Sequence, residues 1–206
     1  MSYEVALARM AQLQSLFTPA APSAAPVATQ PTAASPTSFA TQLQSAGSTA
    51  TLAAPAQATT AGQAIVNLVS KEVGVSEQPP GSNDSPRIAQ FRQATAGSGV
   101  GPWCAYFTSW AAREAGVPLG DNGQGFGRVD DVYAWAQKAG KAIPNTGGGV
   151  KPQPGDLIVW DEHIGVVESV GADGTINTIE GNSSDQVSKR TYAPGARPAI
   201  GYVRLG

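Results

Sequence analysis

The stretch Pro154-Gly155-Asp156-Leu157-Ile158-Val159-Trp160-Asp161-Glu162-His163-Ile164-Gly165-Val166-Val167 decides the fold of this chain. Before it, apolar residues recur at helical spacing. From Pro154-Gly155 onward they come in short runs rich in Val, Ile, Thr and aromatics, which is the pattern of strands. Strands are expected at Asp156–Trp160, His163–Val170, Thr175–Glu180, Gln186–Tyr192 and Ile200–Leu205. Asp161-Glu162 and Ala172-Asp173-Gly174 are short enough to close hairpins. Upstream, Ala64, Ile65, Leu68 and Val69 share one face of a helix ending near Val73-Gly74. Residues 75–86 read as a loop, Arg87–Gln93 as a short helix and Asp130–Ala139 as a further one. Between these, Trp103–Ala115 makes a longer helix, stopped by Gly116 and Pro118. Helices first and an antiparallel sheet afterwards is an α+β arrangement.

Further out, the sharpest boundary is one of charge. No charged residue stands between Arg9 and Lys71, and Ala, Pro, Ser, Thr and Gln dominate that stretch. Such a composition buries too little apolar surface to offset the entropy of ordering it. Residues 1–60 are therefore expected to be a disordered, proline-stiffened tether, and 61–206 the compact domain. Two segments of the tether have helical patterning. Tyr3, Leu7, Met10, Leu13 and Phe17 line one side of residues 2–17, and residues 38–46 carry Ser38 as cap before Gly47 as stop. Both contain Gln-Leu-Gln-Ser, at 12–15 and 42–45, and both are candidates for docking on a protein partner.

The net charge of −2 and a pI near 5.3 give no reason to expect nucleic acid or an anionic membrane as partner. No apolar run approaches the length of a membrane span. Met1 to Phe17 contains Glu4 and Arg9 and no continuous apolar core, unlike a secretory signal.

Cys104 is the only cysteine and His163 the only histidine. A lone cysteine on an apolar helix is commonly a small buried hydrophobe, and a lone histidine on a strand is commonly structural. Here the cysteine starts a helix, whose free N–H groups favour an anion, and the histidine starts a strand after a tight hairpin. Ile179-Glu180-Gly181-Asn182 supplies a carboxylate and an amide two positions apart, on one face if the chain is extended there. One of them, Glu180 or Asn182, can orient the imidazole while its other nitrogen takes the thiol proton. These are the parts of a thiol hydrolase. Trp103, Tyr106 and Trp110 are candidates to line a sugar- or peptide-binding groove, with Trp110 more readily placed in the core. Gly123-Gln124-Gly125-Phe126-Gly127 lacks the preceding strand and following Gly-Lys-Ser/Thr of a phosphate loop, and reads as a mobile loop at a groove rim. Asp84, Asp121, Asp130 and Asp131 lack the spacing of a calcium loop, and no metal or cofactor is expected.

The segments Pro102–Trp110, Pro154–Trp160, His163–Glu168 and Ile179–Asn182 closely resemble the CHAP family of cysteine, histidine-dependent amidohydrolases/peptidases. The family is related to NlpC/P60 proteins and is papain-like in fold. The resemblance runs from about Ala64 to the C-terminus, and the loop Gln78–Asn83 is similar to the loop ahead of the cysteine helix in one CHAP branch. It implies cleavage of an amide bond in peptidoglycan: in a stem peptide, in a cross-bridge, or between muramic acid and L-alanine. Carried over by position, it makes Cys104 the nucleophile, His163 the base, Glu180 the orienting residue and Asn182 a fourth polar member. Peptidoglycan lies outside the cytoplasm, so the expected location is the periplasm or cell wall, reached without a standard signal peptide. Phage lysis and a specialised export apparatus are two such routes. The Leu7–Ser15 stretch is similar to the start of wall hydrolases associated with flagella. The competing expectations are a catalytically silent wall-binding or assembly module and an amidase acting on a small peptide conjugate.

Overall fold

A computed structural model describes residues 58–206. All but the last three positions of the expected tether, including the helical segments 2–17 and 38–46, lie outside the described residues.

Among the described residues four α-helices come first. Helix α1 (Thr60–Ser70) starts after Thr59, whose extended backbone lets Oγ1 accept the Gly62 N–H at 2.8 Å. Helix α2 (Pro86–Arg92) has proline at its first position, where the missing N–H costs nothing, and Ser85 as cap. Helix α3 (Cys104–Glu114) is buried over most of its length, from Cys104 through Ala112. Helix α4 (Val129–Lys138) carries Asp130 and Asp131 in its first turn and Lys138 in its last, both matched to the helix dipole.

Six strands follow: β1 (Ala142–Pro144), β2 (Leu157–Val159), β3 (Ile164–Val170), β4 (Ile176–Glu180), β5 (Ser188–Tyr192) and β6 (Gly201–Val203). They form one antiparallel sheet in the order β1-β6-β2-β3-β4-β5. This is the α+β arrangement expected, helices on an antiparallel sheet. Strand β1 was not expected. It is short, ends in a proline and lies at the sheet edge, where a strand needs only one partner.

Alternation along the strands sorts the side chains. Leu157, Val159, Ile164, Val166, Ile179 and Val203 join the core with the helices. Ile158, Trp160, Val167 and Tyr202 form a second apolar cluster, against which Ile176 and Tyr192 pack. The helix core is aromatic at its centre: Phe91 lies 6.1 Å from Trp103, 5.2 Å from Phe107 and 4.8 Å from Trp110, centroid to centroid. The Pro154-Gly155-Asp156 turn locks α1 to the sheet. Gly155 has φ +89°, and a Cβ there would fall 2.1 Å from the Gly62 Cα. The next residue, Asp156, is buried and takes both arms of Arg204, at 2.9 and 2.7 Å. Among the described residues no helix is long and apolar enough to cross a membrane.

Candidate active site

The site begins with the residue before the cysteine. Trp103 is fully buried. Its Nε1–H donates to Glu77 Oε1 at 2.9 Å, and its ring packs on Phe91 and Phe107. Its backbone leaves the helical region and no side chain caps the helix there. Cys104, the first helical residue, is 5 % exposed. It lines a cavity of about 540 Å³ together with Pro102, Tyr106, Arg128, Asp161 and Glu162. The first-turn N–H groups of α3, that of Cys104 included, have no side-chain acceptor at this helix start.

His163 sits at the β2–β3 hairpin, just ahead of β3. The Trp160 N–H donates to the His163 carbonyl at 2.9 Å, and the two rings stack at 5.7 Å and 22°. The imidazole Nε2 meets Glu180 Oε2 at 2.9 Å. Glu180 closes β4 on the neighbouring strand and its side chain is 1 % exposed. Its other oxygen, Oε1, accepts from the Thr178 hydroxyl and, at 2.9 Å, from the Tyr192 hydroxyl. Gly165 makes this reach possible. A Cβ at that position on β3 would fall 2.7 Å from Glu180 Cγ, so the glycine leaves the space the glutamate crosses.

With Nε2 taken by Glu180, Nδ1 is the nitrogen left for the thiol. Burial works against charge on the imidazole. Hydrogen bonds from Cys104 and Glu180, and the charges of both, outweigh it and raise His163 from 6.5 to about 9. Burial likewise works against the Glu180 carboxylate. The hydrogen bonds from His163 and Thr178, the imidazolium charge and the Tyr192 hydroxyl win, and hold Glu180 below the ordinary carboxylate value. Cys104, His163 and Glu180 thus form one electrostatic unit, with Cys104 at the wall of an open cavity.

Asn182 stands elsewhere. The expected extended run stops at Glu180, and Asn182 has φ +54°, so the two side chains do not share a strand face. With its amide oriented to satisfy both ends, Nδ2 donates to Glu77 Oε1 at 3.3 Å and Oδ1 accepts the Trp103 N–H at 3.2 Å. Asn182 therefore meets the residue ahead of Cys104. Gly181 allows it: a Cβ there would lie 2.6 Å from the Phe107 Cβ and 2.9 Å from Trp103 Cζ3.

Glu77 is the residue that sequence reasoning missed. It is 3 % exposed and gathers donors from Trp103, Asn83 and Asn182. Nothing local marks it, because it is one acidic residue in a polar loop, and two of its partners, Trp103 and Asn182, come from distant segments.

Two expectations for the groove need correction. Trp103 presents no face to a substrate, because the glutamate below it and the aromatics around it bury it completely. The glycine-rich segment is tied down: Gly125 N–H donates to Leu119 O at 2.9 Å, and Phe126 N–H to Ser109 Oγ at 3.1 Å. Gly127 from that segment does line the cavity, beside Tyr106, whose hydroxyl donates to Gly99 O at 3.0 Å. Trp110 lies in the core. Among the described residues no group of three or more His, Cys, Asp or Glu side chains is gathered to hold a metal ion.

Residues 95–182 match the model of the CHAP domain, a span that takes in Cys104, His163, Glu180 and Asn182. No curated protein and no solved structure matches the chain.

Proposed function

From the match of residues 95–182 to the CHAP domain model, we propose a cysteine-nucleophile hydrolase that cleaves an amide bond of peptidoglycan, in a stem peptide, in a cross-bridge or between muramic acid and L-alanine. CHAP domains are hydrolases of the amidase and peptidase kind. The observation that carries the reading to this chain is the continuous thiol–imidazole–carboxylate unit of Cys104, His163 and Glu180 beside an open cavity.

The chemistry runs as follows. His163 Nδ1 takes the thiol proton, and the resulting imidazolium, held by Glu180, favours the thiolate. The sulfur attacks the amide carbon, and the carbonyl electron pair moves to oxygen. That oxyanion needs donors, and the Cys104 N–H at the uncapped start of α3 is suited to be one. As the tetrahedral species collapses, the C–N bond breaks and the imidazolium gives its proton to the leaving amine. His163 then takes a proton from water, which attacks the thioester. The acid product leaves and the thiol is restored. An imidazole raised to about 9 remains charged at neutral pH and is ready to supply the leaving-group proton. Asn182 completes the set by holding the Trp103 N–H, and so the segment that presents the sulfur.

In the same reading residues 61–206 are the catalytic unit and residues 1–60 an export and placement segment. Residues 2–17 and 38–46 are its partner-binding parts, and the location is outside the cytoplasm.

The test is digestion of purified peptidoglycan, with products identified by mass spectrometry. The wild-type chain releases fragments whose new termini name the bond. Cys104→Ala releases none and keeps its melting temperature within a few degrees. Full turnover by Cys104→Ala ends the thiol-hydrolase reading.

A further inference from the structure

We propose that Tyr192, backed by Arg197, is a positioning residue for this reaction: its hydroxyl fixes which oxygen of Glu180 faces His163. The proposal rests on the reading of Cys104 and His163 as the reacting pair.

A carboxylate has two equivalent oxygens, and a buried one settles where donors hold it. At Glu180 the donors are divided. Thr178 and Tyr192 both give their hydroxyls to Oε1, while the imidazole alone takes Oε2. Thr178 is two residues away on the same strand as Glu180. Tyr192 comes from β5, across the strand pair, and supplies the external reference. Its hydroxyl is in turn held by Arg197, whose Nη1 donates to it at 3.2 Å.

Arg197 acts on the imidazole by a second route. Its guanidinium lies over the Trp160 ring at 4.3 Å, and its backbone carbonyl accepts the Trp160 indole N–H at 3.2 Å. Trp160 is the ring stacked on His163. One exposed arginine after β5 therefore touches both supports of the histidine: the tyrosine behind its carboxylate and the tryptophan beside its ring. Tyr192 is half-buried and its hydroxyl could have been satisfied by water. It is spent on a carboxylate that is 1 % exposed.

The charged and titratable groups around the imidazole are few. Cys104 comes from α3, Glu180 from β4, Tyr192 from β5 and Arg197 from the segment after it. Asp161 and Glu162 stand beside it on its own hairpin. Because His163 is the only histidine, its ring gives a single imidazole signal, and its titration can be followed by NMR in the full-length protein.

The experiment pairs that titration with steady-state kinetics. In Tyr192→Phe the carboxylate loses its donor from β5 and keeps only Thr178 on Oε1. The His163 midpoint falls from about 9 toward 6.5, and kcat drops about tenfold with little change in KM. The melting temperature stays close to that of the wild type. Arg197→Met shifts both readouts in the same direction by less, and Arg197→Lys, which keeps a donor for the phenol, recovers most of the loss. An unmoved midpoint and unchanged kcat in Tyr192→Phe overturns the proposal. So does activity lost in step with stability at an unmoved midpoint, or a midpoint that rises. If the wild type cleaves no wall material, the hydrolase reading falls, while the titration still decides whether Tyr192 aims the carboxylate at His163.

Discussion

His163 has Glu180 on Nε2 and leaves Nδ1 over, and the pH response of the site follows from that division. Its titration near 9 means the imidazolium persists through neutral pH and is lost as pH rises through that value. Removing the Glu180 charge removes part of what raises it. In Glu180→Gln the His163 midpoint should fall, and the alkaline limb of kcat/KM should move to lower pH with it, as proton NMR and a pH–rate profile would show. Asn182→Ala should leave the midpoint near its wild-type position, since the amide meets Trp103 and Glu77 rather than the ring. Its cost belongs in stability, about 1–3 kcal/mol for the two hydrogen bonds lost to Trp103 and Glu77, read by urea unfolding. A larger shift in the His163 midpoint for Asn182→Ala than for Glu180→Gln would reverse these roles.

At the scale of elements, the site depends on how closely strands and helix approach, and two glycines set that distance. Gly165 on β3 leaves room for the Glu180 side chain, a flexible neighbour, whereas Gly181 after β4 abuts Phe107 and Trp103, which are buried and fixed. The same substitution should therefore fail in two ways. Gly165→Ala pushes the carboxylate aside and lowers kcat by about tenfold or more with modest loss of stability. Gly181→Ala strains the packing of β4 on α3 and costs about 1–3 kcal/mol in chemical denaturation. Equal stability losses from both, with kcat untouched in Gly165→Ala, would show that the gap on β3 has no part in aiming Glu180. The Glu-Gly-Asn order was legible in the sequence. The reason for its glycine was not, because it depends on an aromatic helix that is distant in the chain.

For the whole molecule, the domain edge can be located by one hydrogen bond. A compact unit starting at 61 omits Thr59, whose hydroxyl accepts the Gly62 N–H and caps α1. A chain beginning at Ala58 should melt close to the full-length protein, while one beginning at Ala61 should lose about 1 kcal/mol with that cap. Both should cleave soluble wall fragments at similar rates, measured beside the full chain. Marked destabilisation of the chain beginning at Ala58 would mean that residues before it contribute to the fold, and the tether proposal would fail.

The sequence by itself determined that helices come first and the strands β2 to β6 afterwards, because the change from helical to strand periodicity at Pro154-Gly155 is local; β1, which lies before that change, it left out. It also singled out Cys104 and His163, the one thiol and the one imidazole, with Glu180 and Asn182 as the candidate partners. Tertiary structure alone decided which of Glu180 and Asn182 meets the ring, because a left-handed backbone at Asn182 breaks the two-residue alternation. It alone buried Trp103 and recruited Glu77, whose hydrogen bonds to Trp103 and Asn182 join segments far apart in sequence. It alone brought Tyr192 and Arg197 behind the carboxylate. Periodicity records which face of an element is buried. It does not record which distant side chain a buried charge finds as its partner.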